Sequence, residues 1–354
     1  MSTEVAVDGR EFLINGRPTY EGVDWRGHKV QGLLMNSRMI QAVFDDESPE
    51  TRPLWRYPDT GEWDPDRNTD EFCAALPEYR AHGLLAVTVG LQGGSPRRDP
   101  EVYDTYVNSA FRPDGSFKEP YFDRLSRVLA AADEAGMVVI VNYLYWKQVE
   151  RIPEEQTILE IVERTTDWLL RTGHRNILVD VANESHDRYR HPVCRPDGIH
   201  RLIEIIQNTT LDGRRLPAGA STLGGDHLSV GRWREVQDIF LPHGNGCTPD
   251  QLRDKLRRLK ESEAFREHPR PIVINEDDVI LDNLDTAVEE YASWGYFDPG
   301  HGHGYHALSE AGLGEREDEC DDLSGYQAPP VNWGINTPTK RAFFERVKEI
   351  TGGQ

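Results

Sequence analysis

Cysteine is scarce in this sequence: four residues in 354, at Cys73, Cys194, Cys247 and Cys320, with no Cys-x-x-Cys pair among them. That scatter excludes a disulfide framework and a zinc ribbon and suits a reducing compartment. Long apolar runs are missing too. No stretch approaches the roughly 18 uninterrupted apolar residues of a membrane span. The opening Met-Ser-Thr-Glu-Val-Ala-Val-Asp-Gly-Arg has neither the basic nor the apolar region of a secretory signal, so a cytoplasmic location is expected. Positive charge is also short, with 40 Lys and Arg against 61 Asp and Glu and a net charge of −21. So acidic a surface repels phosphate backbones, and no basic cluster reverses this locally; neither nucleic acid nor a membrane is expected as a partner. With 37% apolar and 29% charged residues, the chain is neither membrane-embedded nor a disordered acidic tail.

What the sequence has in plenty is alternation. Val5-Ala6-Val7 and Glu11-Phe12-Leu13-Ile14, punctuated by Asp8-Gly9 and Asn15-Gly16, predict an N-terminal β-hairpin within 1–18 that could plug the bottom of a barrel. Residues 19–23 are the expected first barrel strand, and a long rim loop rich in Asp, Pro and Trp covers 24–68. Short apolar runs then follow at 84–89, 137–142, 177–182, 217–221, 238–241, 271–274 and 295–297. Between and after them come helical patterns at 69–82, 120–135, 154–172, 197–210, 229–237, 249–264, 283–293 and 338–350. Eight strands alternating with eight helices predict an α/β fold, a closed (β/α)8 TIM barrel forming one catalytic domain over 1–354.

In such a barrel the reacting groups sit at the C-terminal ends of the strands. Glu184 and Glu276 each follow an apolar run that ends in Asn, and they are 92 positions apart. That is about three βα units of roughly 30 residues, which puts both on one rim. Two carboxyl groups facing one cavity are the working parts of glycoside hydrolysis: one protonated to assist the leaving group, the other ionised to attack the anomeric carbon or activate water. A single glutamate after a strand is usually a solvated loop residue; two at matching positions are not so easily dismissed. The strand ends also offer Gln92, Asn142, Tyr145, Asn183, His243 and Asn245 as sugar-binding groups. Trp25, Trp55, Trp63, Trp146 and Trp333 fall in loops assigned to the same rim, where flat aromatic faces could stack on sugar rings. A small core of their own within those loops is the competing role. Trp168, Trp233 and Trp294 are assigned to helices and to packing.

The run Ile177-Leu178-Val179-Asp180-Val181-Ala182-Asn183-Glu184 resembles the Asn-Glu motif on strand four of clan A glycoside hydrolases, the cellulase-like family-five group among them. Pro271-Ile272-Val273-Ile274-Asn275-Glu276 is similar to that clan's strand-seven segment, and Phe12-Leu13-Ile14-Asn15-Gly16-Arg17-Pro18 to the way many such enzymes begin. The resemblance implies a retaining mechanism, with Glu184 as general acid/base and Glu276 as nucleophile. It also implies Asn183 on the sugar 2-hydroxyl, His243 beside the nucleophile and Trp333 as the platform under the reacting sugar. The chain departs from the pattern in two ways. No clear arginine stands on the strand over 84–89, where Gln92 opens the loop, and Glu276 is followed by Asp277 and Asp278, whose charges would raise its pKa if they pointed inward.

Other readings carry less. His301, His303 and His306, near Asp298, could ligate a metal for a metal-dependent barrel hydrolase or isomerase, although all three share one Gly-rich segment. A non-catalytic carbohydrate-binding barrel would keep the tryptophans but has no need of both glutamates. Gln92-Gly93-Gly94-Ser95 lacks the pattern of a phosphate loop, and the consecutive Ser185, His186 and Asp187 cannot converge as a triad. No cofactor and no metal is expected, and the expected partner is a carbohydrate, an oligosaccharide or glycoside.

Overall fold

The computed structural model describes residues 2–94, 96, 102, 104–300 and 325–353. Its first strands, β1 (Val5–Asp8), β2 (Glu11–Ile14) and β3 (Arg17–Pro18), form an antiparallel sheet. The Val5 N–H donates to the carbonyl of Arg175, just ahead of a barrel strand. This places the sheet at the N-terminal end of the barrel, where a plug was expected. A second hairpin, β4 (Asp24–Trp25) with β5 (His28–Lys29), follows.

The barrel itself is built from β6 (Asn36–Arg38), β7 (Ala86–Gly90), β8 (Val138–Leu144), β9 (Ile177–Ala182), β10 (Ala218–Gly219), β11 (Val273–Ile274) and β12 (Ser293–Tyr296). These pair in the order β10-β9-β8-β7-β6-β12-β11, every neighbour parallel. Residues 240–241 close the ring: Ser221 bridges Leu241 and Phe240 bridges Ile272, both in parallel. The Val273 N–H donates to the Phe240 carbonyl at 2.8 Å. The eighth strand is thus reduced to two residues, but the circuit is complete. β7, β8 and β9 are buried along their whole length, as strands covered by helices on the outside and by the barrel interior must be.

Among the described residues the helices are α1 (Pro65–Ala81), α2 (Glu119–Ala135), α3 (Trp146–Val149), α4 (Glu155–Arg171), α5 (His200–Asn208), α6 (Gly231–Val236), α7 (Pro249–Glu261), α8 (Glu263–Glu267), α9 (Leu281–Glu289) and α10 (Pro338–Thr351). Local chemistry explains their limits. Asp64 caps α1 by accepting from the N–H groups of Asp66 and Arg67, so that helix starts ahead of the expected Thr69. α2 buries Phe122, Leu125, Val128, Leu129 and Ala132 and stops at Gly136, whose φ of 72° suits a left-handed cap.

One expected strand is misplaced. Residues 19–23 are a turn, with Tyr20 at φ 48° and Gly22 at φ 75°, and the first barrel strand is Asn36–Arg38, inside the expected rim loop of 24–68. Its three residues are polar and carry no apolar alternation to mark them. Several tryptophans also turn out to serve packing. Trp55 and Trp63 sit with Phe44, Tyr57, Val102 and Tyr106 in a small separate core, where Trp55 Nε1 donates to Asp46 and Trp63 Nε1 to Asp45. Trp25 Nε1 donates to Glu349 in the last turn of α10, at the end of the barrel remote from the strand C-termini. Trp294 lies on β12 rather than on a helix.

Among the described residues no helix is long and apolar enough to cross a membrane. Cys73, Cys194 and Cys247 are free thiols. His301, His303, His306 and Cys320 lie outside the described residues.

Candidate active site

The apolar run of β9 brings the chain to the barrel mouth at Ala182, and Asn183 and Glu184 follow. Glu184 has φ 52°, a left-handed conformation that costs a residue with a Cβ about 1–2 kcal/mol. Such strain persists only where neighbours hold it, and it gathers at functional positions. Here Ser221, just beyond β10, provides the hold: its Oγ accepts the Glu184 N–H at 3.0 Å and its carbonyl accepts the Ser185 N–H at 2.9 Å.

Across the barrel, β11 leads into Asn275 and Glu276. The Glu276 Oε2 lies 2.8 Å from Nε of Arg38, whose side chain is 3% exposed. The same guanidinium donates through Nη2 to Asn183 Oδ1 at 3.0 Å, so one arginine ties the residue before Glu184 to Glu276. Asn245 Nδ2 donates to Glu276 Oε1 at 3.1 Å. His243 is fully buried, with Nδ1 3.3 Å from Glu184 Oε1 and 3.6 Å from Glu276 Oε2. An oxygen of each glutamate and a nitrogen of His243 all lie within 4.8 Å of one another. These three donors are of types that bind divalent cations, but the Arg38 guanidinium already occupies the flank of Glu276 with positive charge.

Burial works to raise the Glu184 pKa, but the hydrogen bond and charge of His243, with the charges of Arg38 and His186, outweigh it and hold the carboxyl below its usual value. The acidic run after Glu276 does not load the site with charge in the expected way. Burial pushes Asp277 up to about 8, against the hydrogen bond from Trp294. Its carboxyl packs behind Gly244, whose lack of a Cβ leaves it room. There it accepts from Trp294 Nε1 at 2.6 Å and from Asn283 Nδ2 at 3.2 Å.

Of the residues expected from the sequence, Glu184, Glu276, Asn183, His243 and Asn245 converge on this cluster around Arg38. Tyr145 borders it: a Cβ placed on Gly94 would lie 3.6 Å from atoms of Arg38, Gln327 and Tyr145 alike. Trp146, partly exposed, packs edge-on to His186 at 5.4 Å, two residues from Glu184. Three candidates are spent on structure instead. Gln92 donates to Ser109 and accepts from the Tyr145 N–H, tying two loops together. Asn142 is fully buried and donates to the Asp180 carbonyl. Trp333, 4% exposed, is stacked on Tyr326 and edge-on to Phe72, with Nε1 on the Asn68 carbonyl. Buried in this way, its ring presents little open face to a sugar.

Arg38 was not legible in the sequence. It stands on β6, directly opposite Thr88 of β7 in the parallel register. The family resemblance asks for an arginine on β7; here the arginine beside Glu276 stands on the neighbouring strand, paired with Thr88.

No protein-family sequence model matches the chain, and no sequence among the curated proteins does. Solved structures do match. A GH5-4 broad-specificity endoglucanase from Bacteroides salanitronis superposes with a TM-score of 0.55 at 10% identity, over 90% of this chain and 93% of that one. The fold is that of these enzymes. A family 5 glycoside hydrolase from Bacteroides vulgatus gives 0.52 at 13% identity, over 86% and 65% of the two chains. Another from Prevotella bryantii gives 0.50 at 11%, over 79% and 94%.

Proposed function

We propose that the protein is a retaining glycoside hydrolase that cleaves β-type glycosidic bonds, with Glu276 as nucleophile and Glu184 as general acid/base. The observation that carries this is the carboxyl pair on the barrel rim, with oxygens within 4.8 Å. Retaining enzymes hold their two carboxyl groups about 5–5.5 Å apart, whereas inverting enzymes leave about 6.5–9.5 Å for a water. This pair is on the short side of that divide.

In the first step the Glu276 carboxylate attacks the anomeric carbon, the glycosidic C–O bond breaks, and Glu184 delivers a proton to the departing oxygen. Nδ1 of the His243 imidazole faces Glu184 Oε1 at 3.3 Å. In the second step Glu184 takes a proton from water, the water oxygen bonds the anomeric carbon, and the ester to Glu276 breaks. Arg38 holds the Glu276 carboxyl in place for attack, its Nε 2.8 Å from Oε2, and fixes the Asn183 amide with Oδ1 engaged, which leaves its Nδ2 to donate to the sugar 2-hydroxyl. Trp146 and His186 flank Glu184 and would meet the leaving group. A small oligosaccharide or glycoside is the substrate, and the cytoplasm is the site of action.

The test is product stereochemistry. A panel of aryl β-glycosides is offered and the first-formed sugar is read by proton NMR. A β-anomer supports retention, an α-anomer means inversion, and no cleavage across the panel removes the glycosidase reading.

A further inference from the structure

One charged side chain inside the barrel takes no part in these steps. Asp180 sits fully buried in the apolar run of β9. Its Oδ1 accepts the Ser221 N–H at 2.9 Å, and its Oδ2 accepts from Asn275 Nδ2 at 3.1 Å. β9 and β11 are not neighbours in the sheet, so the bond to Asn275 spans the barrel interior. Ser221 in turn receives the Glu184 N–H on its Oγ, and Asn275 directly precedes Glu276. One carboxylate is therefore linked through a single residue to the strained backbone of Glu184 and through another to Glu276. An ionisable group in such a wall is costly, and burial raises its pKa against the pull of His243, Ser221, Asn275 and Arg38. An aliphatic side chain would fill the wall without that cost but could not reach across it with a hydrogen bond.

We propose that Asp180 is a positioning residue whose cross-barrel hydrogen bonds to Asn275 and Ser221 hold the Glu276 and Glu184 carboxyl groups at the separation that double displacement needs. This rests on the glycosidase reading for its consequence in turnover, though not for its geometry. A shift of about 1 Å in reacting groups costs about 10²-fold in rate, so the brace has leverage far beyond its own two bonds.

The experiment uses the full chain and three variants. Asn275→Ala removes the cross-barrel donor and keeps the Asp180 charge. Asp180→Asn sets an amide against Asn275. The double variant Asp180→Asn/Asn275→Asp reverses donor and acceptor, while the new amide oxygen at 180 still accepts from Ser221. On an aryl β-glycoside, each single variant should lose about 10²-fold in kcat with KM within about twofold, and the reversed pair should recover at least about tenfold of that loss. A residue that merely stabilises the fold would lower the thermal midpoint without this split or this rescue.

A second readout needs no turnover: NMR titration of carbon-13-labelled glutamate carboxyls, with Glu184 and Glu276 assigned by their Gln variants. The charged or titratable groups facing that pair are Arg38, His243 and His186, with Asp180 one residue removed behind Ser221 and Asn275 and Asp277 turned away behind Gly244. Asn275→Ala should change the mutual coupling of the two titrations, and the reversed pair should restore it. If the wild-type protein cleaves no glycoside, the glycosidase reading falls and the titration alone decides the brace. Folded single variants with wild-type kcat and titration overturn the proposal, as does a reversed pair no better than either single change. If Asp180→Asn does not fold, Asn275→Ala alone decides between these outcomes.

Discussion

Asp277→Asn gives the strictest test of the electrostatics behind Glu276. Asp277 titrates near 8 in the folded chain against an ordinary value of 3.8, so the folded state holds its proton where the unfolded chain has already released it. Stability must then fall as pH rises from about 4 to about 8. At 1.36 kcal/mol per unit the full loss is at most about 6 kcal/mol, of which about 4 falls between pH 5 and pH 8. Asparagine has nearly the shape of the neutral acid and cannot ionise. The variant is expected to match the wild type within about 1 kcal/mol near pH 4, the scale of one altered hydrogen bond, and to gain on it steadily above that. Lys255, held down to about 8 by burial, contributes with the opposite sign, because its stability cost is greatest at low pH and fades as pH rises. It is present in both proteins and largely cancels in the difference. The assay is urea unfolding at pH 5, 6, 7, 8 and 9. A stability difference that stays constant over that range refutes the reasoning, and one that favours the wild type more at high pH reverses it. Turnover near pH 6 should change by less than about twofold, since the variant carries the charge the wild type already has there.

Three further outcomes follow from the site. Glu276→Ala should abolish turnover with the fold intact by circular dichroism, and residual activity above about 10⁻³ of wild type would deny it the role of nucleophile. Glu184→Ala should slow poor leaving groups by about 10²–10⁴-fold and spare nitrophenolates, which leave without protonation; equal losses on both classes would count against the general acid. Arg38→Met strands a buried carboxylate and the Asn183 amide together, which should cost about 3–5 kcal/mol of stability. Its kcat/KM should drop by at least about 10²-fold, and a melting curve and rate close to wild type would show that Arg38 does not brace the pair.

The parts of this architecture that could be read from the sequence are those written in apolar periodicity. The runs at 84–89, 137–142 and 177–182 became β7, β8 and β9 within a residue or two because strands covered on both faces must be apolar throughout. The two glutamates could be found because each terminates such a run. Where the barrel wall is built from polar residues that signal disappears. β6 is Asn-Ser-Arg, recognisable only from its partners on β7 and β12, and residues 240–241 join the ring through isolated bridges. The aromatic rim failed for another reason. A loop of nearly fifty residues has to bury something, and Trp55 and Trp63 meet that need themselves, with Asp45 and Asp46 taking their indole N–H groups.

The arginine is the most instructive case, because the family resemblance asks for one on β7 and the arginine beside Glu276 stands on β6. Side chains in a parallel barrel are addressed by height and direction, and residues paired across neighbouring strands point to the same face about 5 Å apart, within the reach of a long side chain. Arg38 and Thr88 are such a pair. A long guanidinium issuing from β6 therefore reaches the Glu276 carboxylate as readily as one from β7 would, and Thr88 takes the smaller volume left beside it. Motif spacing along the chain records which strand carries a group, whereas chemistry at the rim depends only on where that group ends. If this exchange is a true equivalence, an Arg38→Thr/Thr88→Arg double variant should recover at least about tenfold of the kcat/KM lost by Arg38→Thr alone, since a restored charge at the right point is worth several kcal/mol in a dry site. No recovery, in a double variant that folds, would mean that β6 offers an approach angle to Glu276 that β7 cannot reproduce, and that the site is organised around its own first strand.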